Sequence, residues 1–491
     1  MRYFVRNLLI RSLSPEALIS QLAERLGISK NSFRFQMLTA ECEFVNGILE
    51  YFADFAVDTS EFIRDTTVSF SDDSIEPEIP ARGAKGNVVV IGDELPGLYA
   101  ALLLAKAGAK PIIISHSKGI GESIDASKKF GEKERQGKQS DVLFGGELLR
   151  QGGFVDRKSK SRYGKFVADD ILSRIGKPNS FSRYNFINKH DVAVLLLSLS
   201  KEILDNGGSI LFDCSSVKLK TFLGKAKMVD FTQSGKAMSI KADSVLACSR
   251  LPILGTPSQS GYFQLFVYSR MRDVDSRLYQ GSRLKEPRYF ACHDLPCGAL
   301  AYGPFPFSGS LPIIEESKSI YSSFSLLGES VLGYYGMPLY LKIPDSVGHR
   351  FAQIKQEVGQ NSYRESIPGS LPCSLYADFM QGSPSYNLGL VRGDCPTGFH
   401  LADMPKLFPS GFALAKRALA ELKEKAPYAI ADGSLVVGYG FADDVPDCLI
   451  SDERGRTSTK GLSSCACSPT EDLDLAKTCS KGILSAYSAL L

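Results

Sequence analysis

The chain has 491 residues, of which 44% are hydrophobic and 23% charged, and its formal net charge is +3. This balance is typical of a globular protein, with room for about two to four domains. So small a net charge does not predict binding to nucleic acid or to an anionic membrane. No apolar run reaches the roughly 18 residues of a membrane-spanning helix, and the first residues lack a secretory pattern. We therefore expect a cytoplasmic protein without membrane insertion.

The cysteines and histidines do not suggest a disulfide scaffold or a metal site. Eleven cysteines are scattered along the sequence, and the two closest pairs lack C-x-x-C spacing. The five histidines lie far apart. Zinc sites need such ligands at short, regular spacing, so no metal is expected.

A small α+β domain is predicted for residues 1–64, in the order β-α-β-β. Ser14 followed by Pro15 is typical of a helix start, and Gly27 of a helix end. Residues 65–86 are rich in Asp, Ser, Pro and Glu, which predicts a linker.

The composition then changes to that of a Rossmann-like α/β domain, which we place at residues 87–254. Residues 87–91 form an apolar, β-branched run of the kind found in buried parallel strands. A turn, an Ala/Leu helix at 98–107 and a second such strand at 112–114 complete a β-α-β unit. A further helix is predicted at 191–204.

The remaining elements predict an inserted domain and a return to the first. Strands are expected at 209–212 and 239–247. Residues 255–400 are rich in Gly, Pro, Ser and aromatic residues and predict a β-rich second domain with no long helix. Residues 401–491 predict C-terminal helices, at 404–425 and from about 474 to 490, and the return to the Rossmann-like domain.

The turn after the first strand is an altered dinucleotide-binding motif. Such a motif, G-x-G-x-x-G, uses its glycines for the turn, for pyrophosphate approach to the backbone and for helix packing. Here Gly92 and Gly97 occupy the first and third positions, and Glu94 replaces the second glycine. An acidic residue normally ends the next strand and holds the ribose, but that position carries Ser115 or His116.

Each of these features leaves two interpretations open. Gly92 and Gly97 either form a working nucleotide loop or are needed only for the turn and for packing. Glu94 is either a solvent-facing side chain or a catalytic acid, and His116 is either a ribose contact or a surface histidine. A Glu94 carboxylate about 4 Å from a phosphate would cost roughly 4 kcal/mol at an effective dielectric constant of 20.

Residues 88–114, together with the later stretch from Gly152 to Lys158, resemble the bacterial FAD-dependent dehydrogenase-like family. That family carries G-A-G-P-A-G-L after the first strand and G-T-F-S-D-G-K further on. The resemblance runs through nearly the whole chain and implies FAD extended across the parallel sheet, with the second domain over the flavin ring. It implies that Gly152, Gly153, Asp156 and Lys158 line a pocket, or alternatively that they hold a loop.

The departures from that family fall at loops that would contact the cofactor. The family's G-E-G-A-G loop is replaced by residues 465–471, and Ser249 stands at the last position of its A-x-G motif. One hypothesis is an FAD-dependent oxidoreductase-like protein with degraded flavin contacts. It would be a non-catalytic binding or scaffold protein with an unnamed protein or small-molecule partner. The alternative is an active, divergent FAD-dependent oxidoreductase that holds FAD by non-standard contacts.

Overall fold

The fold is taken from a computed structural model of the chain. It describes residues 1–490 apart from 13, 46–47, 64–67, 70–74, 80–85, 129–141, 250–259, 271–290, 304, 307–308, 316–317, 326–333, 344–349, 366, 368–369, 389–398, 428 and 472. The predicted linker and the start of the second domain therefore lie partly outside the described residues.

The head domain has the predicted β-α-β-β order. Its elements are β1 (Arg2–Ile10), α1 (Pro15–Leu26), β2 (Phe33–Val45) and β3 (Ile48–Thr59). The Ser14 hydroxyl accepts a hydrogen bond from the Ala17 backbone N–H at 3.3 Å, which caps α1. Gly27 ends the helix at φ +66°, a conformation that favours glycine. The three strands form an antiparallel sheet in the order β1-β3-β2.

The second block of the chain is the Rossmann-like domain. Its elements are β4 (Val88–Ile91), α2 (Leu95–Lys106), β5 (Ile112–Ile114), α3 (Ile120–Lys128), α4 (Leu148–Gln151), β6 (Gly153–Asp156), α5 (Gly164–Arg174), β7 (Tyr184–Ile187), α6 (Lys189–Asp205), β8 (Ser209–Leu211), β9 (Cys214–Phe222), β10 (Lys225–Gln233), β11 (Lys236–Lys241) and β12 (Ser244–Ala247). The single strand predicted at 239–247 is in fact two strands, β11 and β12, which belong to different sheets.

The inserted domain is β-rich, as predicted, but it is longer and contains a long helix. Its elements are β13 (Gly261–Arg270), β14 (Ala291–Asp294), β15 (Ala299–Gly303), β16 (Phe305–Pro306), β17 (Gly309–Glu315), β18 (Lys318–Ser325), β19 (Tyr334–Ile343), α7 (Arg350–Glu365), β20 (Leu371–Leu375), α8 (Tyr376–Gln381), β21 (Phe399–Leu401), α9 (Met404–Leu407), α10 (Pro409–Lys425) and β22 (Leu435–Asp443). The expectation of no long helix was wrong, because α7 is 16 residues long.

The boundary expected at residue 400 must also be corrected. β22 pairs antiparallel with β13 and with β20, so it belongs to the eight-stranded sheet of the inserted domain. The return to the Rossmann-like domain comes after Asp443, with β23 (Leu462–Ser464) and α11 (Leu475–Leu490).

The Rossmann-like domain has three layers around a five-stranded parallel sheet of order β23-β12-β4-β5-β8. Val88 and Val90 of β4 face α2, α6 and α11, while Val89 and Ile91 face the antiparallel meander β9–β11. Because both faces are covered, all four residues of β4 are buried, which explains its apolar sequence. The fold class is therefore as predicted: a Rossmann-like domain, an inserted β-rich domain and an α+β head. Among the described residues, no helix has the length and apolar character to cross a membrane.

Candidate functional site

A cavity of about 240 Å³ lies where the order of the parallel strands reverses. β4 is followed in the chain by β5 on one side and is joined by the later β12 on the other. Ligands of open α/β sheets bind outside the carboxyl ends of the strands at such a point. Glu94, after β4, and Cys248, after β12, line one side of the cavity, and Gln264 and Tyr340 of the inserted domain line the other.

Both surviving glycines of the motif are required by packing. Gly92 has φ +105°, and a Cβ built on it would lie 3.0 Å from both the backbone N and the Cβ of Ser249. Gly97 lies inside α2, where a Cβ would come within 2.8 Å of the Cys248 sulfur. Ser249 is itself buried against this turn. The fold alone therefore accounts for both glycines.

Glu94 places a carboxylate at the start of α2, on the wall of the cavity. It occupies the N-cap position, but its side chain does not cap the helix. A Cβ built on Gly146 would lie 3.3 Å from Glu94 Cγ, so the side chain extends along the Gly145–Gly146 turn. Glu147 also lines the cavity and pairs with Arg150 at 2.6 Å. The described lining includes neither lysine nor arginine.

The position that would hold the ribose is occupied by an internal polar cluster. Ser115 is fully buried and donates a hydrogen bond to Asp93, and its oxygen lies 2.7 Å from that of Ser117. Burial raises the pKa of the Asp93 carboxyl to about 6, although hydrogen bonds from both serines and from the Gly145 backbone oppose the shift. Asp93 was not singled out from the sequence. Its signal was an acid directly after Gly92, with serines two residues apart after β5.

His116 lies between the two serines and is half-buried. Burial lowers the pKa of its imidazole. The neutral form is therefore favoured at neutral pH, so His116 does not supply a positive charge for a phosphate.

Gly152 and Gly153 place β6 against the last helix. Gly152 ends α4 at φ +71°. A Cβ built on Gly153 would lie 3.1 Å from Leu475 Cδ2 and 3.2 Å from the Leu473 carbonyl oxygen. Neither glycine is among the residues that line the cavity.

Asp156 and Lys158 belong to a network of ion pairs that joins the Rossmann-like domain to the head, in which Arg183 links Asp156 to Glu41. Asp156 pairs with Arg183 at 3.0 Å. The Lys158 ammonium lies 2.5 Å from a Glu41 carboxylate oxygen and 3.3 Å from one of Asp54, both in the head sheet. These contacts favour the interpretation in which the Gly152–Lys158 segment holds a loop and a domain in place.

Gln264 is a lining residue that the sequence did not reveal. Its side chain is 4% exposed, yet its Oε1 atom has no hydrogen-bond donor within the described structure. A buried, unsatisfied carbonyl oxygen costs about 1–3 kcal/mol. Its place on the cavity wall makes it an acceptor for a bound donor group. No group of three or more His, Cys, Asp or Glu side chains in the described regions is placed to hold a metal ion.

This architecture is a Rossmann-like parallel-sheet domain with an inserted β-rich domain. No family model matches the chain. An uncharacterised protein of Clostridium beijerinckii is 27% identical over 210 residues, which are 42% of this chain. The match spans only 37% of that relative's length.

Several solved structures show a distant likeness. A flavin-dependent brominase is 10% identical, with 82% of this chain and 80% of the other covered and a TM-score of 0.35. The glycerol-3-phosphate dehydrogenase of Bacillus halodurans, solved with FAD, is 10% identical over 83% of this chain and 65% of the other, with a TM-score of 0.31. A geranylgeranyl bacteriochlorophyll reductase-like protein of Thermoplasma acidophilum is 12% identical over 52% and 56%, with a TM-score of 0.29. Likenesses of this size carry no functional argument.

Proposed function

We propose that this chain is a non-catalytic binding protein built on an FAD-binding scaffold, and that its ordinary FAD binding is lost or strongly weakened. The observation that carries the proposal is the Glu94 carboxylate on the wall of the cavity at the start of α2. In FAD-binding folds the pyrophosphate lies at this helix start, where backbone N–H groups and the helix dipole attract negative charge. A carboxylate about 4 Å away would cost roughly 4 kcal/mol, or about a thousandfold in affinity.

Two further features argue against FAD at this site. The cavity of about 240 Å³ is smaller than the roughly 300–1,000 Å³ of pockets that hold drug-sized ligands, and FAD is larger than those ligands. The residue at the ribose position, Ser115, is fully buried and bonded to Asp93, so it is not available to a ribose hydroxyl. The residues present therefore do not fit the cofactor, and we derive no chemical step from it.

The cavity instead suits a small ligand that donates hydrogen bonds. Gln264 Oε1 lacks a donor within the described structure, and the Glu94 and Glu147 carboxylates accept hydrogen bonds but cannot donate them when ionised. A neutral donor or a cation would satisfy Gln264 Oε1 and suit a wall that carries two carboxylates, whereas a phosphate would not.

The test is the flavin content of the purified protein. We expect a colourless, folded protein that releases no flavin on heating. A yellow protein that releases stoichiometric FAD would overturn the proposal in favour of a divergent, active oxidoreductase.

Two variants test whether Glu94 is the cause of the weakened FAD binding. Glu94→Gln removes the charge but keeps the side chain, and Glu94→Gly also opens the backbone approach. We expect FAD affinity, measured by flavin fluorescence, to rise from wild type to Glu94→Gln to Glu94→Gly. Equal affinities in all three proteins would contradict the role assigned to Glu94.

A further inference from the structure

The turn between β9 and β10 carries an exposed apolar tip. Phe222 and Leu223 are 68% and 90% exposed. Phe222 pairs with Lys225, so Leu223 and Gly224 form a two-residue turn, with φ of +49° and +73°. Positive φ at both positions defines a type I′ turn, whose first position favours Asn, Asp or Gly. Leucine is unusual there, because a branched side chain is strained in the left-handed region.

The neighbouring hairpin provides an internal comparison. β10 and β11 are joined by Ser234 and Gly235, with φ of +47° and +81° and the same two-residue geometry. There the first position carries a small polar residue, as the turn favours. The two turns of one meander thus differ in that Leu223 places an apolar side chain in water at the tip. Neither folding nor the turn requires leucine at that position.

Lysines surround this tip. The strands β9–β11 contain six lysines, Lys218, Lys220, Lys225, Lys227, Lys236 and Lys241, and one acidic residue, Asp230. All six are exposed, but Lys236 lies beside the Ser234–Gly235 turn, at the opposite end of the meander from the tip. Lys220 pairs with Asp230 at 2.5 Å, whereas Lys225, Lys227 and Lys241 form no ion pair within the described chain. Lys460 is also exposed, and it lies beside these lysines because the Ala226 backbone N–H donates to its carbonyl oxygen at 2.8 Å.

The even composition of the chain hides this concentration of charge. The lysines are spread over three strands and never form a run, but antiparallel pairing places Lys220 and Lys241 on either side of Met228. Clusters of about four to eight basic residues bind anionic lipid head groups. An aromatic and an aliphatic side chain at a convex tip are suited to the shallow apolar layer beneath those head groups.

We propose that the β9–β10 hairpin docks this protein on an anionic phospholipid surface, with Phe222 and Leu223 inserted and the surrounding lysines on the head groups. Charge complementarity favours this occupant over a second copy of the chain, because two such tips would repel each other. The hairpin reaches the amino edge of the parallel sheet, where Lys227 O accepts from Ala242 N just before β12. The cavity lies at the opposite edge, so the docking surface and the cavity can be tested independently.

The experiment is co-sedimentation of the full chain with vesicles at low salt. Vesicles of phosphatidylcholine with phosphatidylserine are compared with vesicles of phosphatidylcholine alone. We expect binding only to the anionic vesicles, and we expect added salt to weaken it. Absence of binding to anionic vesicles at low salt would overturn the proposal.

Variants at the two turns distinguish insertion of the Phe222–Leu223 tip from general electrostatic attraction between the protein and the vesicles. Leu223→Asn suits the turn, so it keeps the fold, and we expect it to weaken vesicle binding more than about tenfold. Lys225→Gln and Lys227→Gln should each weaken binding about fivefold. The matched control Ser234→Asn should bind as the wild type does. Equal vesicle binding by Leu223→Asn and wild type would overturn the proposal. It would also be overturned if the wild-type protein did not bind vesicles but associated with itself, and Leu223→Asn abolished that association.

Discussion

The buried carboxyl of Asp93 should make stability depend on pH in a predictable direction. Burial raises its pKa from 3.8 to about 6, so the folded state holds this proton over a pH range in which the unfolded chain has lost it. The stabilisation from this group is therefore fully present below about pH 4 and is lost as the pH rises through about 6. At about 1.4 kcal/mol for each pKa unit, ionised Asp93 costs about 3 kcal/mol at neutral pH.

Asp93→Asn removes this ionisation while keeping an oxygen that accepts from Ser115 and Ser117. We expect the stability of the variant relative to wild type to rise by about 3 kcal/mol between about pH 4 and pH 8. Melting temperatures of both proteins, measured by calorimetry across that range, give the comparison. Asp125→Asn is the control. The Asp125 side chain is 71% exposed, so the stability difference between this variant and wild type should stay constant across the pH range. A constant difference for Asp93→Asn would refute the reasoning.

Two further substitutions test the packing of the scaffold. Gly97→Ala should lower the melting temperature by the equivalent of about 1–3 kcal/mol, because the added Cβ would lie 2.8 Å from the Cys248 sulfur. A Cβ built on Gly121 has no atom within 4 Å, so Gly121→Ala should leave the melting temperature unchanged or raise it. A decrease equal to that of Gly97→Ala would contradict the steric argument. Lys158→Met removes ion pairs to the head domain, so limited proteolysis between the domains should be several-fold faster. Lys160 is exposed, and the Lys160→Met control should be cleaved at the wild-type rate.

Local patterns in the sequence were enough to predict the central β-α-β unit. The apolar strands and the glycines at 92 and 97 are short-range signals, and the structure places both strands as expected. Helix α2 begins at Leu95, three residues before the predicted start, since the motif turn is already its first turn. The final helix was also found, because its apolar stripe is long.

The inserted domain was harder to predict because its signals are weak or distant in sequence. Phe351, Ile354 and Val358 of α7 have helical spacing and are buried, but Gly359 and the polar residues around it resemble a loop. β22 joins the sheet through β13, more than a hundred residues earlier in the chain. No local pattern tells which sheet a strand will join.

Some of the candidate site residues lie close together in the fold, but the contacts around them were not predicted. Gly92, Glu94 and Ser249 do meet at one turn or at the cavity beside it. The link from Asp93 to Ser115 crosses between two strands, and the missing partner of Gln264 depends on its surroundings in three dimensions. Asp156 and Lys158 were assigned to a pocket or a loop, and the contacts of Asp156 with Arg183 and of Lys158 with the head domain became visible only in the fold.

The central claim, that this scaffold has lost ordinary FAD binding, is tested most directly by a thermal-shift titration of the purified wild-type protein with FAD. A ligand that binds the folded state raises the melting temperature in proportion to RT ln(1 + [L]/Kd). We predict no shift for wild type at FAD concentrations that shift Glu94→Gly. A saturable rise in the wild-type melting temperature at micromolar FAD would contradict the account.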